Sequence, residues 1–110
     1  MLPKQKRLSG RDITQLFSGG KTTGMPFFVV RYSRETTGTV RCAIIAPKTI
    51  AKTAVARNSL RRKWYASIDQ ALNTTKPAFS RYAFVLKKEA IPLTPAERTQ
   101  TLVTYFSKKI

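Results

Sequence analysis

The sequence contains 21 lysines and arginines but only 5 aspartates and glutamates among 110 residues, and this imbalance limits how the chain can fold. Because an unpaired charge is costly to bury, nearly all of the excess of 16 positive charges must lie on the surface. Hydrophobic residues nevertheless make up 42% of the chain, which is typical of a compact domain rather than a disordered basic tail. The length predicts a single domain over residues 1–110.

Like charges at this density repel one another, so we expect a polyanionic partner. Nucleic acid fits best, because each phosphate that a cation neutralises releases counterions. A membrane partner is not expected, since the sequence has no long apolar run, lipidation signal or basic amphipathic tail. The absence of a secretory pattern at the start and the single Cys42, expected to be a buried thiol, favour a cytoplasmic location.

Local patterns predict an α+β fold. The first expected element is a helix that Ser9 and Asp12 cap and that ends at Gly19-Gly20. Two strands follow, over Phe27–Tyr32 and about Thr39–Ala46, and then a helix over about Val55–Leu72 and a strand over Arg81–Leu86. The last element is a helix from Pro95 to Ile110, with Thr94 and Glu97 as its capping box. The two strands before the central helix are predicted to form a hairpin. This order of helix, strands, helix, strand and helix implies a single-domain two-layer sandwich.

Side chains that could catalyse a reaction are scarce. The chain has no histidine, and its acidic residues are scattered rather than paired at helical spacing. One cysteine cannot build a zinc site, and no glycine-rich phosphate loop is present. We therefore predict no catalytic residue and no metal ligand in the protein.

The strongest binding signal is the basic segment from Lys48 to Tyr65. Guanidinium groups and a helix N-terminus both bind phosphate, and an asparagine can reach sugars or base edges. A helical wheel places Arg57 and Arg61 beside the apolar arc, facing a groove at the sheet, with Tyr65 facing outward. An ordinary solvated basic helix face is the alternative. The predicted RNA-binding residues are Lys48, Lys52, Arg57, Asn58, Arg61, Arg62 and Lys63.

Aromatic residues give a second signal. Most of them are expected in the core, but Phe17 and Phe28 are candidates to line a cleft between the first helix and the sheet, where they could stack on bases.

The segment AVARNSLRR, Ala54–Arg62, resembles the signature Ala-Val-x-Arg-Asn-Arg-x-Lys-Arg of the bacterial ribonuclease P protein subunit. The resemblance extends over nearly the whole chain, from Lys6-Arg7-Leu8 through Arg81–Lys88 to the last helix. It departs at Ser59, where the family usually has arginine, and at Arg61, which replaces lysine. Ile13 stands where an aromatic residue is common, and Arg31 where tyrosine is common.

The resemblance implies the order α-β-β-β-α-β-α of a ribosomal-protein-like fold with a left-handed βαβ crossover. It also implies a non-catalytic subunit of a ribonucleoprotein endonuclease that removes the 5′ leader from precursor tRNA. The RNA subunit and substrate would hold the catalytic Mg²⁺, and the protein would hold none. Its partners would be ribonuclease P RNA and precursor tRNA, with no small-molecule substrate. The leader cleft would contain Ile13, Phe17, Phe28 and Arg31.

Composition leaves one other function class open. A structural RNA-binding protein, such as a ribosomal component, needs the same basic surface on a small α+β body. A stand-alone nuclease would need histidines or paired acids, which this sequence does not supply.

Overall fold

The computed structural model describes residues 6–33, 40–77 and 80–107, and within them three helices accompany a four-stranded sheet. The elements are α1 (Gly10–Gly19), β1 (Lys21–Gly24), β2 (Phe28–Ser33), β3 (Arg41–Ile45), α2 (Ala54–Thr74), β4 (Arg81–Leu86) and α3 (Pro95–Ser107), with a short 3-10 turn (Lys88–Ala90) before α3. The predicted α+β class and the order α-β-β-β-α-β-α are confirmed. The predicted strand start at Thr39 and helix end at Ile110 lie outside the described residues.

The sheet has the strand order β1-β2-β4-β3. The predicted hairpin between the strands now named β2 and β3 is wrong, because β4 lies between them and pairs antiparallel with β2 and parallel with β3. The hairpin instead joins β1 to β2. The sequence Lys-Thr-Thr-Gly of β1 is short and polar, so it carries no alternating pattern to reveal it. Helix α2 connects the parallel strands β3 and β4 as a βαβ crossover. The left-handedness of this crossover stays a prediction.

One face of the sheet packs against α2 and α3. The ring of Phe28 on β2 meets Trp64 of α2 edge-on at 5.9 Å and Tyr105 of α3 at 6.1 Å between ring centroids. The predicted apolar arc of α2 is confirmed, since Leu60, Trp64, Ile68 and Ala71 are buried and Leu72 is half-buried. Edge-to-face aromatic pairs add about 0.5–1.5 kcal/mol each beyond the area they bury. This aromatic cluster therefore fixes α2 on the sheet.

The opposite face of the sheet holds α1. Leu8 and Leu16 pack there on Ala43 and Ala83 of the two parallel strands, with Ile13 beside them. The small alanines let the helix approach the sheet closely. The N-terminal segment is also tied to the edge of β3, because the backbone N–H of Leu8 donates to the carbonyl of Cys42 at 3.0 Å.

Both capping boxes predicted from sequence are present. At α1 the backbone N–H of Asp12 donates to the Ser9 hydroxyl at 3.2 Å, and the backbone N–H of Ser9 donates back to the Asp12 carboxylate at 3.4 Å. At α3 the N–H of Glu97 donates to the Thr94 hydroxyl at 3.2 Å, and the N–H of Thr94 donates back to the Glu97 carboxylate at 2.9 Å. These bonds satisfy N–H groups that a helix cannot pair internally.

The Cys42 thiol is fully buried in β3, as predicted. Burial in apolar surroundings raises the pKa of this thiol, because the charged thiolate would lose its hydration.

Gly20 lies between the end of α1 and β2, where there is no room for a side chain. A Cβ atom there would lie 2.6 Å from the carbonyl oxygen of Leu16 and 3.0 Å from that of Tyr32, whereas a Cβ at Gly19 would meet nothing within 4 Å. We expect Gly20→Ala to lower the free energy of unfolding by about 1–3 kcal/mol through overpacking. Gly19→Ala is the control, and chemical denaturation should show it unchanged or stabilised by up to about 1 kcal/mol. Equal effects would contradict the packing account.

Candidate nucleic-acid interface

The N-terminus of α2 forms the centre of the predicted RNA-binding surface. Thr53 caps the helix, since its hydroxyl accepts a hydrogen bond from the backbone N–H of Ala56 at 3.1 Å. The first turn of α2 contains no acidic residue. The partial positive charge of the helix terminus is therefore not neutralised locally, and it adds to the charge of the surrounding side chains.

Arg57 has a structural role within this surface. Its guanidinium donates to the carbonyl oxygens of Ala51 and Lys52, each at 3.2 Å, and the side chain is half-buried. These bonds fold the loop before α2 back onto the first turn of the helix. Arg57 therefore fixes the loop that carries Lys48 and Lys52, which leaves fewer of its donors for a phosphate.

The remaining predicted residues are exposed on α2 and on the loop before it. Arg61 donates to the side-chain oxygen of Asn58, one turn earlier on the helix. The prediction that Arg61 faces a groove rather than open solvent is wrong, because this side chain is exposed. The exposed residues of α2 and of the loop before it include Lys48, Lys52, Asn58, Arg61, Arg62 and Lys63.

Tyr65 was predicted to face outward, and this prediction is wrong. The side chain is half-buried, and its hydroxyl accepts a hydrogen bond from the backbone N–H of Ile44 at 3.2 Å. β3 is the edge strand of the sheet, so this N–H has no strand partner on its outer side. Tyr65 therefore ties α2 to the edge of the sheet and helps to set the direction of the basic surface.

A second candidate surface lies where α1 leaves part of the sheet uncovered. The Phe17 ring is 39% exposed, and the guanidinium carbon of Arg31 lies 5.0 Å from its centroid. Arg31 also donates to the carbonyl oxygen of Phe17 at 2.9 Å. Val29 and Val85, Cα partners on β2 and β4, are half-buried on the same face of the sheet. An exposed aromatic ring, a cation and apolar strand residues thus lie together along one side of α1.

Of the four predicted cleft residues, Phe28 is misplaced. Its side chain is completely buried on the opposite face of the sheet, against Trp64 and Tyr105, so it cannot stack on a base. The alternation of β2 explains the error, because Val29 and Arg31 share one face while Phe28 and Val30 share the other. Ile13 is half-buried in the contact between α1 and the sheet.

Two arginines that the sequence did not single out flank the other side of α1. Arg41 and Arg81 are Cα partners on the parallel strands β3 and β4. Arg81 lies 3.8 Å from the carboxylate of Asp12 and donates to the side-chain oxygen of Gln15 at 3.3 Å. The pKa of Asp12 is lowered, first by the hydrogen bond from the Ser9 hydroxyl and further by the positive charges of Arg81 and Arg41. The pairing of β3 with β4 brings these arginines together, which strand patterns alone do not reveal.

Within the described residues, no group of three or more histidine, cysteine, aspartate or glutamate side chains is placed to hold a metal ion. Among the helices of that part of the chain, none is both long and apolar enough to cross a membrane.

Comparison with known proteins identifies similar sequences and folds. The family model described as Ribonuclease P matches residues 2–109. A solved RNase P protein from Thermotoga maritima superposes with a TM-score of 0.75 at 19% identity, covering 91% of this chain and 94% of that one. An RNase P protein from Staphylococcus aureus superposes with a TM-score of 0.69 at 22% identity, covering 100% of this chain and 98% of that one. A sequence comparison with curated proteins gave no significant match.

The loop-closing bonds of Arg57 lead to a stability prediction. Arg57→Ala removes the donor to two carbonyl groups, so we expect the free energy of unfolding to fall by about 1–2 kcal/mol. Arg62→Ala is the matched control, because that exposed side chain makes no hydrogen bond with a described residue, and its effect should stay within about 0.5 kcal/mol. Chemical denaturation of both variants measures the difference. Identical stabilities would mean that Arg57 does not hold the loop.

Proposed function

Because the chain belongs to the ribonuclease P protein family, we propose that it binds the catalytic RNA of that enzyme together with the 5′ leader of precursor tRNA. The family places it as a protein subunit of an endoribonuclease complex that processes tRNA. The observation that carries the RNA-binding proposal is the concentration of exposed cations around the N-terminus of α2. A cytoplasmic location accords with the single reduced cysteine.

The basic surface supports a contact with the phosphates of the RNA subunit. From Pro47 to Lys63 the chain has six basic residues and no acidic one. Arg57 orders the loop in advance, so that fewer conformations are lost when the lysines of the loop meet phosphates. Asn58 lies among these cations and can reach a sugar or base edge as well as a phosphate.

The surface beside α1 supports a contact with the single-stranded leader. Phe17 offers an exposed ring on which a base can stack, and stacking on an aromatic side chain contributes about 1–3 kcal/mol per base. The Arg31 guanidinium, which donates to the Phe17 carbonyl, lies beside this ring, where it can bind the adjoining phosphate. Val29 and Val85 give this cleft an apolar floor. The proposed cleft thus keeps Ile13, Phe17 and Arg31 and excludes Phe28.

We assign catalysis to the RNA subunit. The sequence has no histidine to serve as a general base, and its acidic residues are few. Mg²⁺ bound by the RNA and the substrate would activate the attacking water and stabilise the leaving oxygen. The protein would contribute binding and positive charge that offsets repulsion between the two RNA molecules. The alternative of a structural ribosomal component has no observation in its favour once the family is known.

Precursor-tRNA cleavage by the cognate RNA, with and without this protein, tests the division of labour. We expect the protein alone to cleave nothing and to lower the Mg²⁺ concentration at which the RNA is half-maximally active, because its positive charge replaces part of the counterion requirement. Leader removal by protein from which all RNA has been digested would contradict this assignment, as would an unchanged Mg²⁺ requirement.

Arg62→Ala tests the basic surface of α2, with Lys76→Ala beyond the opposite end of that helix as control. If Arg62 binds a phosphate, its loss should weaken affinity for the RNA by about 1.5–3 kcal/mol. It should also reduce the slope of log K against log salt by about 0.7–0.9. Both side chains are exposed, so neither change should alter the circular dichroism spectrum. Equal and small losses for the two variants would show that the charge acts diffusely and that this surface is not the site.

A further inference from the structure

A groove of about 290 Å³ opens beside the N-terminal half of α2, inside the basic surface. Its lining residues come from the loop before α2, from one face of the helix and from the segment after β4. Those that define its shape and chemistry are Ile50, Ala56, Ser59, Leu60, Lys63 and Ile91.

The groove exists because of the sequence of α2. Ala56, Ser59, Leu60 and Lys63 follow the spacing of one helix face, so their side chains lie in a row. The first two are small, which leaves space above the helix. Ile91, 47% exposed, forms an apolar wall. Apolar side chains this exposed are unusual within a strongly charged surface, and they suggest a ligand with an apolar face.

The two polar side chains that line the groove, Ser59 and Lys63, have no partner within the described part of the protein. The Ser59 hydroxyl makes no hydrogen bond and the Lys63 ammonium no ion pair with any described residue. A hydroxyl both donates and accepts, and an ammonium donates only. The groove thus offers an apolar wall, one hydroxyl and one cation. Three further lysines and arginines are close in sequence to its lining residues: Lys52 follows Ala51, Arg62 precedes Lys63, and Lys88 lies in the 3-10 turn before Ile91.

We propose that this groove binds one unpaired nucleobase of the ribonuclease P RNA. The apolar side chains would cover a face of the base, the Ser59 hydroxyl would meet its polar edge, and Lys63 would hold a flanking phosphate. A phosphate alone does not match the apolar wall, and the cations around the groove favour a polyanion over a neutral peptide. The inference rests on the proposed RNA-binding function and adds to it a contact with a single base.

Ala56→Leu fills the groove without changing the charge of the protein. Ala66→Leu is the matched control, because Ala66 is also exposed on α2 but does not line the groove. Leucine is a strong helix former, so both variants should keep the helix, which circular dichroism checks. Binding to the cognate ribonuclease P RNA is measured at several salt concentrations. Base reactivity in the complexes is mapped with dimethyl sulfate and a carbodiimide, which together report all four bases.

We expect Ala56→Leu to weaken binding about 10-fold, which is within the range for losing contact with one base. The salt slope should not change, because no phosphate contact is removed. One unpaired base should be protected by the wild-type protein and by Ala66→Leu, and become reactive with Ala56→Leu.

Equal affinities for the two variants, or a loss of affinity with no change at any base, would overturn the nucleobase proposal and leave RNA binding intact. Failure of the wild-type protein to bind the RNA would instead overturn the proposed function itself. The two failures are therefore distinguishable in one experiment.

Discussion

The contact between Trp64 of α2 and Phe28 of β2 joins the central helix to the sheet, and the position of the basic surface relative to the cleft beside α1 depends on it. Both side chains are completely buried. Because Trp64 lies one turn beyond Leu60, the same packing holds the N-terminal turns of α2 in a fixed direction. Tyr65 adds a second attachment, by accepting the N–H of Ile44 at the sheet edge. The basic end of α2 is thus anchored to the packed core of the domain.

A net charge of +16 on a small domain opposes folding, and the structure limits this cost by keeping cations apart from the core. Arg98 is an exception, since it is only 8% exposed. Its guanidinium donates to the Ser67 hydroxyl at 3.3 Å and to the Leu93 carbonyl at 2.8 Å, so the buried charge keeps polar partners between α2 and α3. Phosphates bound at the proposed surfaces would relieve the remaining repulsion.

Local chemistry made most of the elements predictable. The capping boxes at Ser9 and Thr94 and the helical period around Trp64 each depend on residues close in sequence, and each is found in the structure. Errors arose where distant segments decide the outcome. β4 lies between β2 and β3, where a hairpin was expected. Phe28 lies on the face of β2 that packs against α2, so it is buried there and is not part of the cleft. Strand alternation separates two faces but does not say which is covered. Tyr65 was misplaced for the same reason, because its partner lies 21 residues away.

The central claim is that RNA binds two surfaces of this domain: the N-terminal half of α2 with its preceding loop, and the cleft beside α1. Backbone amide chemical shifts of the protein, measured by NMR with and without the cognate ribonuclease P RNA, test this most directly. The account predicts large changes or line broadening at residues 48–63 and around Phe17 and Arg31, with little change along the exposed side of α3. Equal perturbation of α3, or changes confined to it, would contradict the account.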